Sequence, residues 1–286
     1  MLFKPFQQSD IRLPKQNFGA KVELTYLGTA GFIFSTENRA IVVDPFVTRM
    51  SWFDTLFRPL RPDSEKILKY IPRADEVVVG HAHHDHIVDA PEVCIQTGAR
   101  FIGSSDACCV ARAAQVPDEQ IVETMGNEEI ACGEQAWVKG YPSLHGRVYF
   151  NRVTLPGAIK TDFTWPARLR DFRHGLVLNW QMELNGLNIF HIDSADFLED
   201  NLKDVRCDIL CLCAIGRRYR PNYVKDIVRI TQAKMVIACH WDWFWIPYES
   251  KKHYLFPQVD LDGFVKEIES AGAEAVVIPI GHTLKL

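Results

Sequence analysis

Val77–Ala90 reads V-V-V-G-H-A-H-H-D-H-I-V-D-A, which places four histidines and one aspartate within six positions directly after a run of valines. The chain contains ten histidines in all, so this concentration is the feature from which the fold is interpreted. Three consecutive valines predict a buried strand, followed here by an extended loop. Residues two apart in such a loop project to one side, so His81 and His83 can bind the same ion.

Asp85 and His86 lie where the loop is predicted to turn into a helix, and two neighbouring ligands there can face a second ion. Paired ions about 3.5–4 Å apart act as a clamp in hydrolytic chemistry. Imidazole and carboxylate ligands without thiolate suit zinc first, with manganese, iron or nickel as alternatives. A solvated histidine-rich loop is the competing interpretation, but a buried strand leading into a tight H-x-H-x-D-H pattern is more specific than such a loop.

The pattern His81–His86 resembles the signature of the metallo-β-lactamase superfamily, which is H-x-H-x-D-H after a buried strand. The resemblance extends from about Val22 to the C-terminus. It implies an α/β fold, a four-layer αββα sandwich in which two sheets face each other and helices lie outside. It also implies that residues 1–286 form a single metallo-β-lactamase-like domain.

The same resemblance implies three further ligands in a fixed order. His145, in G-Y-P-S-L-H-G, matches the histidine that completes the first ion's site. Asp193, in F-H-I-D-S-A-D, matches the bridging carboxylate, with Asp196 as the alternative three residues later. His240, in V-I-A-C-H-W-D, matches the last histidine, on the second ion. The implied metal ligands are His81, His83, Asp85, His86, His145, Asp193 and His240.

Asp44, in I-V-V-D-P-F, matches an aspartate that orients ligand histidines in the superfamily, and such carboxylates fix the tautomer of the ring. His191 alternates with Asp193 along a predicted strand, so it is either a hydrogen-bonding partner behind the site or a core residue. The histidines expected not to bind metal are His84, His174, His253 and His282. Among these, His84 is the one expected to line the pocket.

The resemblance implies a dinuclear metal-dependent hydrolase, in which a metal-bridging hydroxide attacks an ester, lactone or phosphodiester bond of a small substrate. Asp85 and Asp193 are the candidates to accept the proton. The H-W-D after Cys239, the A-I-G-R-R-Y-R-P of Ala214–Pro221 and the D-S at Asp193 resemble one branch in particular. This branch holds ascorbate-6-phosphate lactonase and the N-acylphosphatidylethanolamine-hydrolysing phospholipase D. A nuclease of the same fold is the alternative.

Two groups of residues bear on the substrate, and the sequence leaves the role of each open. Three arginines either bind an anionic group of the substrate or form a solvated loop: Arg217, Arg218 and Arg220. Two aromatic groups either form the mouth or lid of the pocket or belong to the core. They are Trp241, Trp243, Phe244 and Trp245 after the last ligand, with Trp52, Phe53 and Phe57 in the early loop.

The composition bounds the partners and the compartment. A net charge of -4 and a pI near 6.2 argue against general affinity for nucleic acid or anionic membrane. A chain with this net charge can still carry a local basic patch. Neither a targeting segment nor an apolar run long enough for stable membrane insertion is evident, so we expect a cytoplasmic protein acting on a small molecule. The eight cysteines sit mostly in apolar runs, which predicts buried thiols. The oligomeric state is left open.

Secondary structure follows from periodicity and turn residues. Val22–Phe46 predicts strands with a glycine-marked bend at Gly28–Gly31, and Asn185-Gly186 predicts a second hairpin. Alternating short strands and helices follow each of these regions, including a helix in which Ile67, Leu68 and Ile71 fall at helical spacing.

Overall fold

Two seven-stranded sheets form the centre of the molecule, as shown by a computed structural model that describes residues 3–286. In the first sheet the strand order is β14-β1-β2-β3-β4-β5-β6. Its strands are β1 (Glu23–Gly28), β2 (Gly31–Ser35), β3 (Ala40–Val43), β4 (Glu76–Val78), β5 (Arg100–Gly103), β6 (Ile121–Glu123) and β14 (Thr283–Lys285).

The second sheet has the order β13-β12-β11-β10-β9-β8-β7. Its strands are β7 (Glu129–Ala131), β8 (Ala136–Ser143), β9 (Val177–Leu184), β10 (Leu187–Ile192), β11 (Ile209–Cys213), β12 (Met235–Cys239) and β13 (Glu274–Val276). The α-helices are α1 (Trp52–Phe57), α2 (Ser64–Tyr70), α3 (His84–Ile87), α4 (Ala90–Thr97), α5 (Ser105–Ala113), α6 (Tyr223–Thr231) and α7 (Leu261–Ser270).

Both sheets are mixed in the same way, with antiparallel hairpins followed by parallel strands. Strands β1 to β3 and β7 to β10 pair antiparallel, whereas β3 to β6 and β10 to β13 pair parallel. The parallel strands β11 and β12 are buried along their whole length. This is why they read as continuous apolar runs, since both faces of the sheet are covered there.

The two sheets face each other across one apolar core, and helices pack on their outer sides. The indole of Trp180 on β9 donates to the backbone oxygen of Val79 at the end of β4 (3.1 Å). Helices α4 and α5 pack against the first sheet, and α7 packs against β13 of the second. The predicted four-layer αββα sandwich is therefore confirmed.

The predicted turns are present where the sequence placed them. Asn185 and Gly186 both have positive φ (49° and 78°), as a two-residue type I′ turn requires. Gly28 (φ 80°) begins the turn that joins β1 to β2. The apolar face predicted for the helix α2 is partly wrong, because Ile67 is buried whereas Leu68 is 59% exposed.

The β1–β2 turn also joins the two sheets. Thr29 donates its backbone N–H to Asp242 Oδ1 (2.8 Å) and accepts from the backbone N–H of His240 (2.5 Å). The neighbouring oxygen of Ala30 accepts from His191 Nε2 (2.8 Å). The turn of the first sheet is thus held between the ends of β10 and β12 in the second.

A buried ion pair fixes this turn from below. Arg49 Nη2 lies 2.7 Å from Asp242 Oδ2, and both side chains are fully buried. Burial alone would raise the pKa of Asp242, but the attraction of Arg49 lowers it, so the carboxylate is charged. Tyr26 donates its hydroxyl to the same carboxylate (3.1 Å). Gly28 leaves room for the guanidinium, since a Cβ there would lie 1.8 Å from Arg49 Nη2.

We predict that Arg49→Met destabilises the fold by about 3–5 kcal/mol, because it leaves Asp242 charged and buried without a partner. Urea unfolding followed by circular dichroism measures this loss. The double variant Arg49→Met/Asp242→Asn should lose less than the two single changes added together. Arg58→Met serves as the control, since Arg58 pairs with Asp54 at the surface. Equal losses in Arg49→Met and Arg58→Met would contradict the prediction.

Candidate metal centre

The residues of the H-x-H-x-D-H pattern occupy the loop after β4 and the start of α3. His83 has extended backbone (φ −70°, ψ 151°) and precedes the helix, while His84, Asp85 and His86 form its first turn. The predicted extended loop that turns into a helix is therefore observed. A backbone hydrogen bond from Leu178 N–H to Gly80 oxygen (2.8 Å) holds this loop against β9 of the second sheet.

Three buried histidines form the first group of donors. His81, His83 and His145 each offer a ring nitrogen, and these nitrogens lie within 4.8 Å of one another. His145 comes from the segment after β8 and is oriented by its Nδ1, which donates to the backbone oxygen of Gly146 (2.7 Å). That tautomer leaves Nε2 with a free lone pair for a metal.

A second group combines Asp85, His86 and His240, whose donor atoms also lie within 4.8 Å of one another. Asp85 Oδ2 is 3.4 Å from His240 Nε2 and 3.7 Å from His86 Nε2. The groups are joined by Asp193, which ends the β10 segment. Its Oδ2 lies 2.5 Å from His81 Nδ1 and 3.9 Å from His86 Nδ1. All seven residues proposed as ligands are thus brought together.

Protonation favours these groups as ligands. Burial, reinforced by His81, lowers the pKa of His83 well below its usual range, and burial lowers that of His145 to about 3. Both rings are therefore neutral at pH 7, as coordination requires. Burial works in the opposite direction on Asp85, but His86 and His84 hold its pKa well below the ordinary value.

The donor set needs a cation to complete it. Asp193 Oδ1 is buried and has no hydrogen-bond partner within the described chain. Burial, followed by the nearby Asp193 carboxylate, raises the pKa of Asp44 well above its usual value. The cavity over the cluster is lined by no lysine or arginine of the described residues 3–286. Buried carboxylates without such partners fit divalent metal ions.

Asp44 lies behind the cluster, as the sequence suggested. Its Oδ2 is 3.0 Å from His86 Nδ1, and its Oδ1 accepts from the backbone N–H of Gly80 (2.7 Å). It therefore orients one donor histidine and the loop that carries two more. His191 also lies behind the site, where it contacts the β1–β2 turn through Ala30.

A cavity of about 240 Å³ opens above the donors. His84 lines it, as expected, together with aromatic and aliphatic side chains. The apolar lining residues are Val148, Tyr149, Leu155, Leu169, Cys213, Ile215, Phe244, Trp245 and Phe256. Of the four aromatic residues after the last ligand, Phe244 and Trp245 thus belong to the pocket. Trp241 is fully buried and stacks on Phe6 (4.3 Å between centroids), so it is core.

The three arginines considered for substrate binding do not line this cavity in the described structure. Arg217 bonds the backbone oxygen of Asp260 (2.9 Å) and Glu267 (3.3 Å). Arg218 donates to Gln258 (2.9 Å), and Arg220 pairs with Asp196 and with Glu199. These contacts hold the three guanidinium groups against acidic and amide groups of neighbouring segments, so the structure gives no support to their binding an anionic group of the substrate over the metal donors.

Sequence reasoning missed two residues of the site. Gly80 precedes the first ligand, and a Cβ there would lie 2.1 Å from Asp193 Oδ2 and 3.2 Å from Asp44 Oδ2. His174 stacks on His145 (5.6 Å between centroids), and its backbone oxygen accepts from Ala82 N–H (3.0 Å). The glycine inside V-V-V-G-H was a usable signal, whereas no pattern marks His174.

Replacement of Gly80 by alanine should reduce metal binding, because the added methyl group displaces the Asp193 carboxylate. We expect elemental analysis of Gly80→Ala to give less than half of the wild-type metal content. Gly19→Ala is the control for an added methyl group without a clash, since a Cβ at Gly19 would meet no atom within 4 Å. A normal metal content in Gly80→Ala would show that Asp193 can move without loss.

The two aspartates considered for the bridging position can be separated in the same way. Asp193→Ala should lose most bound metal, since it removes the carboxylate between the donor groups. Asp196→Ala should keep it, because Asp196 pairs with Arg220 instead. Metal analysis of both variants at equal protein concentration makes the comparison, and the reverse pattern would transfer the role to Asp196.

Comparison with known proteins agrees with this geometry. The model of the Beta-lactamase superfamily domain matches residues 23–240. A UPF0173 metal-dependent hydrolase of Thermodesulfovibrio yellowstonii is 26% identical over 96% of both chains. Another from Anaeromyxobacter dehalogenans is 30% identical, covering 78% of this chain and 76% of its own.

Solved structures with this fold share less sequence. Igni18, a metallo hydrolase of Ignicoccus hospitalis, superposes with a TM-score of 0.62 at 19% identity, covering 93% of this chain and 98% of its own. CmlA of Streptomyces venezuelae, a diiron β-hydroxylase, gives 0.59 at 14% identity, over 96% of this chain and 55% of its own. These likenesses concern the fold. Together with the family match and the assembled donors, they establish that the chain belongs to the metallo-β-lactamase superfamily and, within it, to the UPF0173 metal-dependent hydrolases.

Proposed function

We propose that this metal-dependent hydrolase binds two divalent ions, with zinc as the best-suited metal, and cleaves an ester or lactone bond. One observation carries the proposal: the seven donors form two triads with the Asp193 carboxylate between them. His81, His83 and His145 would hold one ion, and Asp85, His86 and His240 the other. Mixed nitrogen and oxygen donors without thiolate are typical of hydrolytic zinc sites.

Two bound ions would supply an acidified water as nucleophile and would polarise the oxygen of the bond under attack. The chain itself positions the participants. Asp85 and Asp193 both line the cavity, but Asp85 keeps slight exposure whereas Asp193 is fully buried. Asp85 is therefore the better placed of the two candidate carboxylates to take the proton from the attacking water. Asp193 has its second oxygen free of hydrogen bonds within the described chain and is assigned to the metal rather than to proton transfer.

The cavity favours a substrate with an apolar group beside the scissile bond. Phe244, Trp245 and Phe256 form one wall, and Tyr149 and Leu169 contribute further apolar surface. Apolar lining with a few converging polar groups is the usual character of a small-molecule site. A phosphodiester is the third type of bond proposed for cleavage at this site, since bound ions would balance the negative charge of the phosphate. The nuclease alternative gains no support from the cavity, because its lining in the described structure contains no lysine or arginine to contact a nucleic-acid backbone.

We expect protein purified without chelator to contain close to two transition-metal equivalents, and His145→Ala and His240→Ala to contain about one each. Hydrolysis of p-nitrophenyl butyrate, a γ-lactone and bis-p-nitrophenyl phosphate should be compared. Asp85→Asn should lower kcat by about 10²–10⁴ on the substrate that is turned over. Arg218→Ala is the matched control and should leave the rate unchanged. Full activity in metal-free protein would overturn the proposal.

A further inference from the structure

The short helix α1 exposes an apolar face that the centre described above does not use. Trp52, Phe53, Leu56 and Phe57, here called the aromatic face, are each between 51% and 57% exposed. At about 100° per residue these positions fall within an arc of roughly 140° on one side of the helix. Thr55 lies on the opposite side and is buried, so the helix is seated by that side and presents the aromatic face outward.

The aromatic face is held in place although it is exposed. Ser51 accepts a hydrogen bond from the backbone N–H of Asp54 (3.1 Å) and so caps the helix. The rings of Phe53 and Phe57 lie 4.9 Å apart, and those of Trp52 and Phe53 lie 6.1 Å apart. Four large apolar side chains together in water are unfavourable, and such patches mark binding surfaces.

Basic side chains follow the aromatic face in the chain, and one from another segment contacts it. Arg58 and Arg61 follow it directly and are exposed. Arg168 Nη1 donates to the backbone oxygen of Phe57 (3.3 Å), and exposed Arg170 lies two residues further along the chain. Asp54 offsets part of this charge through an exposed pair with Arg58 (3.1 Å). A local basic patch thus exists on a chain whose net charge is -4.

The patch lies beside the mouth of the cavity. The backbone N–H of Leu60 donates to the oxygen of Ala167 (2.7 Å), which joins the segment after α1 to the one that contains Leu169. Leu169 lines the cavity over the metal donors. Anything that binds to the aromatic face is therefore brought next to the entrance of the cavity over the metal donors.

We propose that the aromatic face and its arginines form a docking surface for an anionic lipid bilayer. Tryptophan is enriched at the interface of a bilayer, phenylalanine and leucine form the buried face of interfacial helices, and arginine is attracted to anionic headgroups. Aromatic residues with basic neighbours are the combination that peripheral attachment uses. No helix among the described residues is long and apolar enough to cross a membrane. A second copy of this chain would meet the same arginines on its own face, and like charges oppose that pairing.

The test is sedimentation of metal-loaded protein with vesicles of phosphatidylglycerol and phosphatidylcholine, or of phosphatidylcholine alone. The wild-type chain should bind the anionic vesicles, and salt should weaken binding. Phe53→Glu/Phe57→Glu and Arg58→Glu/Arg61→Glu should each weaken it about tenfold or more. Ile95→Glu and Met125→Glu are the controls, since both residues are exposed apolar positions elsewhere on the surface.

Circular dichroism and hydrolysis of a soluble ester accompany each variant, so that misfolding and failure of the proposed hydrolase activity are detected separately from lipid binding. Binding lost in the face variants and kept in the controls supports the proposal. No binding by the wild-type chain, or equal binding by all variants, overturns it. Analytical ultracentrifugation that shows a dimer abolished by Phe53→Glu/Phe57→Glu, without vesicle binding, overturns it in favour of a second copy.

Discussion

The contact between Asp242 and the β1–β2 turn is the constraint on which the rest of the arrangement depends. The metal donors come from two sheets, and coordination requires them to meet within a few tenths of an ångström. Asp242 fixes the distance between the two sheets at this point, because it lies two residues after His240 and accepts a hydrogen bond from the backbone N–H of Thr29. Arg49 keeps that carboxylate ionised inside the core. The buried ion pair of Arg49 and Asp242 therefore sets the position of one sheet relative to the other.

The centre itself is electrostatically incomplete without metal, and this links binding to stability. Asp44, Asp85 and Asp193 are buried together, with histidines as their nearest titratable neighbours. Any ion that binds the folded chain and not the unfolded one shifts the folding equilibrium towards the folded state. The metal would therefore act as a structural element of the interface between the sheets as well as a reagent.

How much the sequence could predict depends on the range of the interaction. Val77–His86 contains strand, loop and helix start within ten residues, so local rules predict both its conformation and the pairing of His81 with His83. The order of the remaining ligands came from family resemblance, since nothing in the sequence near His145 or His240 indicates that either residue approaches the histidine cluster. The roles of the arginines could not be predicted, because their partners Glu267 and Gln258 lie 40 or more residues away. Gly80 is an intermediate case: the glycine inside V-V-V-G-H is visible in the sequence, but the reason for it, the Asp193 carboxylate, follows a distant strand.

The pairing of β14 with β1 bears on how the chain reaches this state. Thr25 and Thr283 face each other across that pair, 258 positions apart in sequence, and their hydroxyls are 2.7 Å apart. A ribosome delivers β14 long after it has delivered the histidine cluster, so the first sheet lacks its edge strand during most of synthesis. Contacts between such distant segments slow folding, because the loop must close before they form. The last pairing of the first sheet therefore waits for the C-terminal strand, and until β14 pairs the edge of β1 stays open to other strands.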